Sequence, residues 1–315
     1  MRIEISSICN YRCKFCCWQN NDASAHLPRF SPGQLEAFCK GLIRSGCFNI
    51  NLTGGEPLLL PREYLCETIA AISGIDGLGK LWVTTNGSML CDYGFCLDLK
   101  RAGLNEAAVS IASETDDGYM RYTDADVSLS KLMQGVGNAA SCGIDVRIHV
   151  PLSPEGICSF EQLEDLIDRV SAENVREVFY FRLHNSGIIK HRFDELYVDP
   201  MIVTNGFSNS KRWHYRETES GRPYYTDGTV RVNVPRRSVR LITQNCKMRD
   251  CKSFCQGIYS AYCIPGIEGW YLRACNRVFD DRNNEFPLDD FHLEDGGEAE
   301  LDALLNTVWR YAYEA

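Results

Sequence analysis

Cys9-Asn10-Tyr11-Arg12-Cys13-Lys14-Phe15-Cys16 sets three thiols, Cys9, Cys13 and Cys16, at CxxxCxxC spacing. A loop this short wraps three thiolates around one face of an iron–sulfur cube. A 4Fe–4S cube has four irons, and an ordinary site gives each of them a cysteine. Three close thiols therefore leave one iron open to another ligand. The same spacing also suits a zinc loop or three structural thiols, so the neighbouring sequence has to choose. Cys17 follows the third thiol directly and is read as pointing away from the cube.

Just before the loop, Arg2 to Ser6 alternates polar and apolar residues and reads as a strand. Beyond it, Ser31-Pro32-Gly33-Gln34 carries the marks of a helix start: Ser31 as N-cap, Pro32 in the first turn, Gln34 closing a capping box. Leu35, Phe38, Cys39, Leu42 and Ile43 keep the helical period, and Gly46 stops it. Further strands are expected over 48–53, 81–85, 107–111, 146–150 and 178–183, the fifth strand stopped by Pro151. Helices are expected over 62–72, 93–102, 128–141 and 160–170. Strands alternating with helices imply a parallel sheet with right-handed crossovers. The chemistry of such a sheet gathers at the C-terminal ends of its strands. The thiol loop, Gly54-Gly55-Glu56-Pro57 and Asn86 all fall there.

Residues 187–245 lose this rhythm, with strands expected at 230–234 and 239–243 around Pro235-Arg236-Arg237. Residues 246–279 hold a second cysteine group, and 280–299 are acidic and loop-like. Leu301 to Tyr313 reads as a terminal helix with Leu301, Leu304, Leu305, Val308 and Tyr311 as its buried stripe. The expected domains are a core over 1–186, a connecting segment with extra strands over 187–245, and a small domain over 246–315.

The chain has 315 residues, 44% of them apolar, 24% charged, with a net charge of −9. That length buries a sizeable core. The negative balance argues against a nucleic-acid partner, and is compatible with a cationic substrate. No apolar run is long enough to span a membrane, and no signal peptide precedes Arg2 and Glu4. The expected compartment is the reducing cytoplasm. Of the 16 cysteines, those at 17, 39, 47, 66, 91, 96, 142 and 158 are scattered and read as small core hydrophobes.

The CxxxCxxC loop with Phe15 before its third cysteine, and Gly54-Gly55-Glu56-Pro57 after the second strand, resemble the radical S-adenosylmethionine (SAM) superfamily. That resemblance implies the fold class: α/β, a partial (β/α)6 barrel of the radical SAM type with a small C-terminal auxiliary-cluster domain. It also implies that the open iron holds the amino and carboxylate groups of SAM. One electron then cleaves SAM to methionine and a 5′-deoxyadenosyl radical, which takes hydrogen from a substrate. Cys9, Cys13 and Cys16 become the metal ligands. Gly54, Gly55, Glu56 and Pro57 become contacts to the amino acid end of SAM, with Glu56 offsetting its ammonium. Thr84, Thr85 and Asn86 stand where the family turns polar side chains to SAM or substrate, and Ser110 matches a serine that contacts SAM. Arg147 and His149 lie two apart on strand five and share a face. Facing inward they are SAM or substrate contacts, facing outward surface residues. His184 is a similar candidate after strand six.

The late cysteines are 246, 251, 255, 263 and 275, the last three flanking an expected hairpin with Pro265-Gly266 at its turn. This pattern resembles the Twitch and SPASM auxiliary-cluster domains, implying a second 4Fe–4S cluster. GTP 3′,8-cyclase has such a domain, but here CxxxC replaces its CxxC, and the arginines after its second cysteine and its Gly-Gly tail are missing. Five cysteines exceed the four a cube needs, so one is either buried or a hydrogen-atom donor. Cys251, Cys255 and Cys275 fit the ligand pattern best. Cys246 is favoured as donor and Cys263 as fourth ligand, with the reverse open. A thiol donor suits small-molecule radical SAM epimerases such as neomycin C epimerase, which this chain resembles in length and cysteine placement.

The leading expectation is therefore an enzyme, an isomerase that epimerises a sugar or aminoglycoside-type compound in antibiotic biosynthesis, with flavodoxin or ferredoxin as electron donor. The alternatives are a radical cyclase, dehydrogenase or decarboxylase of a nucleoside or sugar, a peptide-modifying relative, or a structural zinc or iron–sulfur protein. The first strand begins at Arg2, which disfavours an N-terminal peptide-binding domain and with it a peptide substrate.

Overall fold

The computed structural model describes residues 1–16, 30–183, 191–219, 221–234, 260–263, 270–273, 285–288 and 297–313. The first half runs β1 (Arg2–Ser6), α1 (Pro32–Arg44), β2 (Asn49–Gly54), α2 (Arg62–Ser73), β3 (Lys80–Thr85), α3 (Tyr93–Arg101), β4 (Glu106–Ser110), α4 (Asp116–Thr123) and α5 (Leu129–Ser141). It continues with β5 (Asp145–Leu152), α6 (Phe160–Ala172), β6 (Glu177–Arg182), α7 (Phe193–Leu196), α8 (Pro200–Asn209), β7 (His214–Glu217), β8 (Pro223–Thr226) and β9 (Arg231–Asn233). The C-terminal part gives β10 (Ser260–Cys263), β11 (Trp270–Arg273), β12 (Glu285–Leu288) and α9 (Glu298–Tyr313).

The described strands form one open sheet in the order β12-β11-β10-β1-β2-β3-β4-β5-β6-β9-β8-β7. From β10 across to β9 every neighbouring pair is parallel. The flanking pairs are antiparallel. This is the α/β fold expected of a partial barrel. One face of each central strand is apolar and buried, as in Ile3 and Ile5, Ile50 and Leu52, Leu81 and Val83, or Ile148 and Val150. These residues join one core with Leu35, Phe38 and Leu42 of α1, Leu65 and Ile69 of α2, and Leu163, Leu166 and Ile167 of α6. Each such side chain contributes about 1.5–3 kcal/mol by leaving water. The other face carries the polar residues, Arg147 and His149 among them.

Several expectations need correction. Residues 116–123 form a helix where the sequence reading assigns no element. Strand five does not stop at Pro151 but pairs with β6 as far as Leu152. Alternate strand residues point their amides to the same side, so Pro151 faces the same neighbour as His149, whose carbonyl accepts from Ile111. β4 has ended at Ser110, so a missing N–H at Pro151 deprives no partner. In the described residues between 191 and 234 strands and helices continue: α8 packs on α6 through Phe160 and Phe207, and β9 returns parallel to β6. The strand expected over 239–243 lies outside the described residues. The acidic stretch holds β12, an edge strand that tolerates Pro287. The hairpin expected between Tyr262 and Trp270 is present as β10 and β11, and it lies beside β1 in the main sheet. Leu301, Leu305 and Val308 of α9 are buried as expected, and Leu301 sits over Gly41 of α1.

The turn from β8 to β9 is built on Asp227. One carboxylate oxygen accepts from the amides of Thr229 and Val230 and the Thr229 hydroxyl at 2.8–3.0 Å. The other accepts from Arg212 at 2.9 and 3.1 Å. Burial alone pushes the carboxyl up, but these donors outweigh it and hold it well below its ordinary value. A depressed folded pKa gives stability that is full above the unfolded value near 4 and fades as pH falls through the folded one. Asp227→Asn is therefore expected to cost about 1–3 kcal/mol at pH 7. In urea titrations the gap from wild type should narrow at about pH 3.

Candidate active site

The loop after β1 is held by α4. The N–H groups of Arg12 and Lys14 each donate at 3.0 Å to the carbonyls of Thr123 and Tyr122. These are last-turn carbonyls, which a helix leaves without internal partners. The Phe15 ring stacks on Tyr122 with centroids 5.4 Å apart, and Tyr11 meets Tyr119 edge-on at 6.3 Å. Phe15 therefore packs the loop onto α4. The signal for α4 was legible in Thr115-Asp116-Asp117, an N-cap followed by first-turn acids.

The three thiols are partly buried, and Cys9 and Cys13 pack against the core. Burial pushes Cys9 up to about 11, with Glu56 and Cys16 adding to it against the Tyr11 amide. It pushes Cys13 well above its ordinary value, with Cys16 and Cys9 adding. Among the described residues, no three His, Cys, Asp or Glu side chains converge on a point fit for a single metal ion. Three thiols on one short loop, buried so that they resist ionising without a cation, are a donor set that suits a 4Fe–4S cluster.

Gly54 and Gly55 lie directly against this loop. Gly55 N–H donates to the Ser6 carbonyl and Glu56 N–H to the Ile8 carbonyl, both at 2.7 Å. A Cβ on Gly54, whose φ is +143°, would stand 1.9 Å from the Ser6 oxygen, and one on Gly55 would stand 2.3 Å from the Ile8 oxygen. The close approach that two glycines allow is thus made, within the chain, to the backbone of the thiol loop. Pro57 opens a short 3-10 turn over Pro57–Leu59.

Glu56 is fully buried. One oxygen accepts from the Leu58 amide at 3.0 Å and the Thr85 hydroxyl at 2.7 Å, the other from the Asn86 amide at 2.5 Å. Its carboxylate thus ties the end of β2 to the end of β3. Burial pushes it up to about 7 against these donors. A raised folded pKa means that its contribution is full below the unfolded value and is lost as pH rises through the folded one. The urea midpoint is therefore expected to decline between pH 5 and 8 on its account, and Glu56→Gln should flatten that decline.

The remaining candidates spread over the polar face. The Thr84 hydroxyl donates to Asn51 at 3.0 Å. Asn86 turns to the thiol loop, donating to Asn10 at 2.8 Å and reaching the Cys9 sulfur at 4.0 Å. Ser110 and His149 are register partners across β4 and β5. Arg147 pairs with Glu106 at 2.6 Å and lies over the Trp82 and Phe179 rings at 4.8 and 5.6 Å. Its face is the inward one, but the structure engages its charge with Glu106. His149 meets Phe179 and Phe181 edge-on. Burial, helped by Arg147 and Arg2, pushes it down to about 3, so it is neutral at physiological pH. Cys17, His184, Cys246, Cys251, Cys255 and Cys275 lie outside the described residues. Of Cys263 the backbone is described, at the end of β10 opposite Trp270.

A family model described as the Radical SAM superfamily matches residues 3–180. The GTP 3′,8-cyclase of Alkaliphilus oremlandii is 32% identical over 229 residues, covering 71% of this chain and 68% of that protein. The probable GTP 3′,8-cyclase of Sulfurisphaera tokodaii is 29% identical over 195 residues, 62% of this chain and only 59% of its own length. Among solved structures, Streptococcus suis SuiB bound to its precursor peptide SuiA matches with a TM-score of 0.63 at 14% identity, over 96% of this chain and 66% of that one. At that identity the likeness is one of fold. Among the described residues no helix is long and apolar enough to cross a membrane. The family match begins in β1 and reaches into β6, taking in the thiol loop, its glycine partners and more than half of the sequence: this chain belongs to the Radical SAM superfamily.

Proposed function

We propose that this chain takes a hydrogen atom from a small nucleoside- or sugar-like substrate and rebonds it within itself, as a radical cyclase. The carrying observation is the clamp between the Cys9–Cys16 loop and Gly54–Glu56, at the strand ends that also present Asn86, Ser110 and His149. Cys9, Cys13 and Cys16 are the residues that would hold a 4Fe–4S cluster and leave one iron for SAM. When bound, these groups supply a one-electron cleavage of SAM and a carbon radical able to take hydrogen. The chain's part is placement. α4 and the paired glycines fix the loop, and Phe179 and Phe181 flank His149 edge-on. His149, held neutral, exchanges hydrogen bonds with substrate rather than charge.

The cyclase reading draws on the relatives, which carry the name GTP 3′,8-cyclase and not epimerase. The expectation of epimerisation in antibiotic biosynthesis finds no support among them and gives way to what was the alternative. The sequence differences from the cyclase keep GTP itself a candidate among nucleotides. A second cluster on Cys251, Cys255 and Cys275 with Cys263 or Cys246, and a flavodoxin- or ferredoxin-type donor, remain part of this proposal.

The test is anaerobic reconstitution, then SAM and reductant in deuterated water with GTP, other nucleotides or aminoglycosides. Formation of 5′-deoxyadenosine with loss of the purine absorption supports the cyclase. Solvent deuterium on an otherwise intact sugar carbon returns the epimerase. No 5′-deoxyadenosine above background with any substrate sinks both.

A further inference from the structure

We infer that Asn86 serves the thiol loop rather than the substrate: its side-chain N–H donates to the Cys9 sulfur and raises the reduction potential of the cluster held there. The inference rests on Cys9, Cys13 and Cys16 holding that cluster, and on nothing about the substrate.

The orientation of the Asn86 amide is fixed by its neighbours. Its Oδ1 accepts from the Ser88 backbone N–H at 2.9 Å. Its Nδ2 gives one hydrogen to Asn10 Oδ1 at 2.8 Å, which leaves the other for the Cys9 sulfur at 4.0 Å. The reversed amide would lose Ser88 and set oxygen against oxygen at Asn10, so the nitrogen is the atom that faces sulfur. Asn10 in turn donates to the Ser88 hydroxyl at 3.1 Å, closing a clasp from the thiol loop to the turn after β3. The backbone is held as well, since Asn86 N–H donates to the buried Glu56. The clasp therefore arrives at Cys9 already aligned. The Tyr11 amide donates to the same sulfur at 3.4 Å, so Cys9 receives two N–H dipoles.

The chemistry follows from charge. Reduction adds one electron, and the cluster sulfurs carry part of it. An N–H aimed at such a sulfur stabilises the reduced form more than the oxidised form, and hydrogen bonds to sulfur are among the levers that set cluster potentials. A thiolate also draws an N–H more strongly than a neutral thiol does.

The experiment is an EPR-monitored redox titration of the reconstituted full chain, without substrate or turnover. The N-terminal cluster is identified as the signal that changes when SAM is added. Asn86→Leu is expected to shift its midpoint to more negative potential. Asn86→Asp, which keeps Oδ1 for Ser88 but trades the N–H groups given to Asn10 and Cys9 for a charged oxygen, is expected to shift it further the same way. Ser88→Ala, which breaks the clasp but leaves the N–H, should shift it less than either. A midpoint unchanged or raised in Asn86→Leu and Asn86→Asp overturns the inference. So does loss of iron from both while Ser88→Ala loads normally, because that outcome makes Asn86 purely structural. A wrong substrate class leaves the titration untouched.

Discussion

Cys13→Ala is expected to remove one whole cluster, about four irons and four sulfides per chain, and with it all SAM cleavage. Three thiols already leave one iron without a protein ligand, so two cannot hold the remaining three. Nor can the loop bring in another residue: both neighbours of Cys13 are pinned, Arg12 to Thr123 and Lys14 to Tyr122. Iron and sulfide counts after anaerobic reconstitution give the answer, with 5′-deoxyadenosine as second readout. Cys158→Ala is the control, a half-buried thiol bonded to Gln162 well outside the loop. If the late cysteines hold a second cube, wild type should bind about eight irons and Cys13→Ala about four. Unchanged iron in Cys13→Ala would remove the loop from the site.

Gly55→Ala is expected to be nearly as damaging without touching a ligand. The added methyl would lie 2.3 Å from the Ile8 oxygen, 2.6 Å from its carbon and 2.8 Å from the Ser7 oxygen. All three are backbone atoms, so no side chain can swing aside. Either the Glu56 amide leaves Ile8, or the thiol loop moves. Overpacking of this kind costs about 1–3 kcal/mol or more, and a displaced loop should also bind iron poorly. Gly54→Ala adds an unfavourable φ of +143° to a contact of 1.9 Å. Gly46→Ala separates the two causes, because its φ is +90° but nothing lies within 4 Å. It should cost about 1 kcal/mol, the backbone strain alone, and keep its iron. Thermal unfolding and iron content of the three variants test this, and equal losses in all three would refute a steric clamp.

Much of this is legible in the sequence. The Ser31 capping box is present as read, with Gln34 N–H donating to the Ser31 hydroxyl and Ser31 N–H to the Gln34 side chain. It was legible because a cap is a local bargain between neighbours in sequence. The strand–helix units were legible because each buries a regular stripe. What escaped was decided by distant partners. α4 is a two-turn helix whose stripe is little more than Tyr119 and Tyr122, too short to show a period. Pro151 looked like a stop because the end of β4 is invisible from β5. The two glycines announced a close approach but not its partner, which is the loop nearly fifty residues earlier. The bonds that tie Glu56 to Leu58, Thr85 and Asn86, and Asn86 to Asn10 and Ser88, were likewise out of sight in a sequence that offered both residues only as contacts to SAM or substrate.

The pairing of β1 with β10, where Arg2 meets Ser260 and Ile3 meets Ala261, has a consequence for how the protein comes to exist. The strand that carries the thiol loop is made long before the neighbour on its outer side, because β1 precedes β10 by most of the chain. Until then one edge of β1 is bare, and bare strand edges invite foreign strands. Contacts between such distant segments also form slowly. The thiol loop is thus rooted in a strand whose outer neighbour is made late, while the α4 and Gly54–Glu56 contacts that hold the loop itself are made sooner.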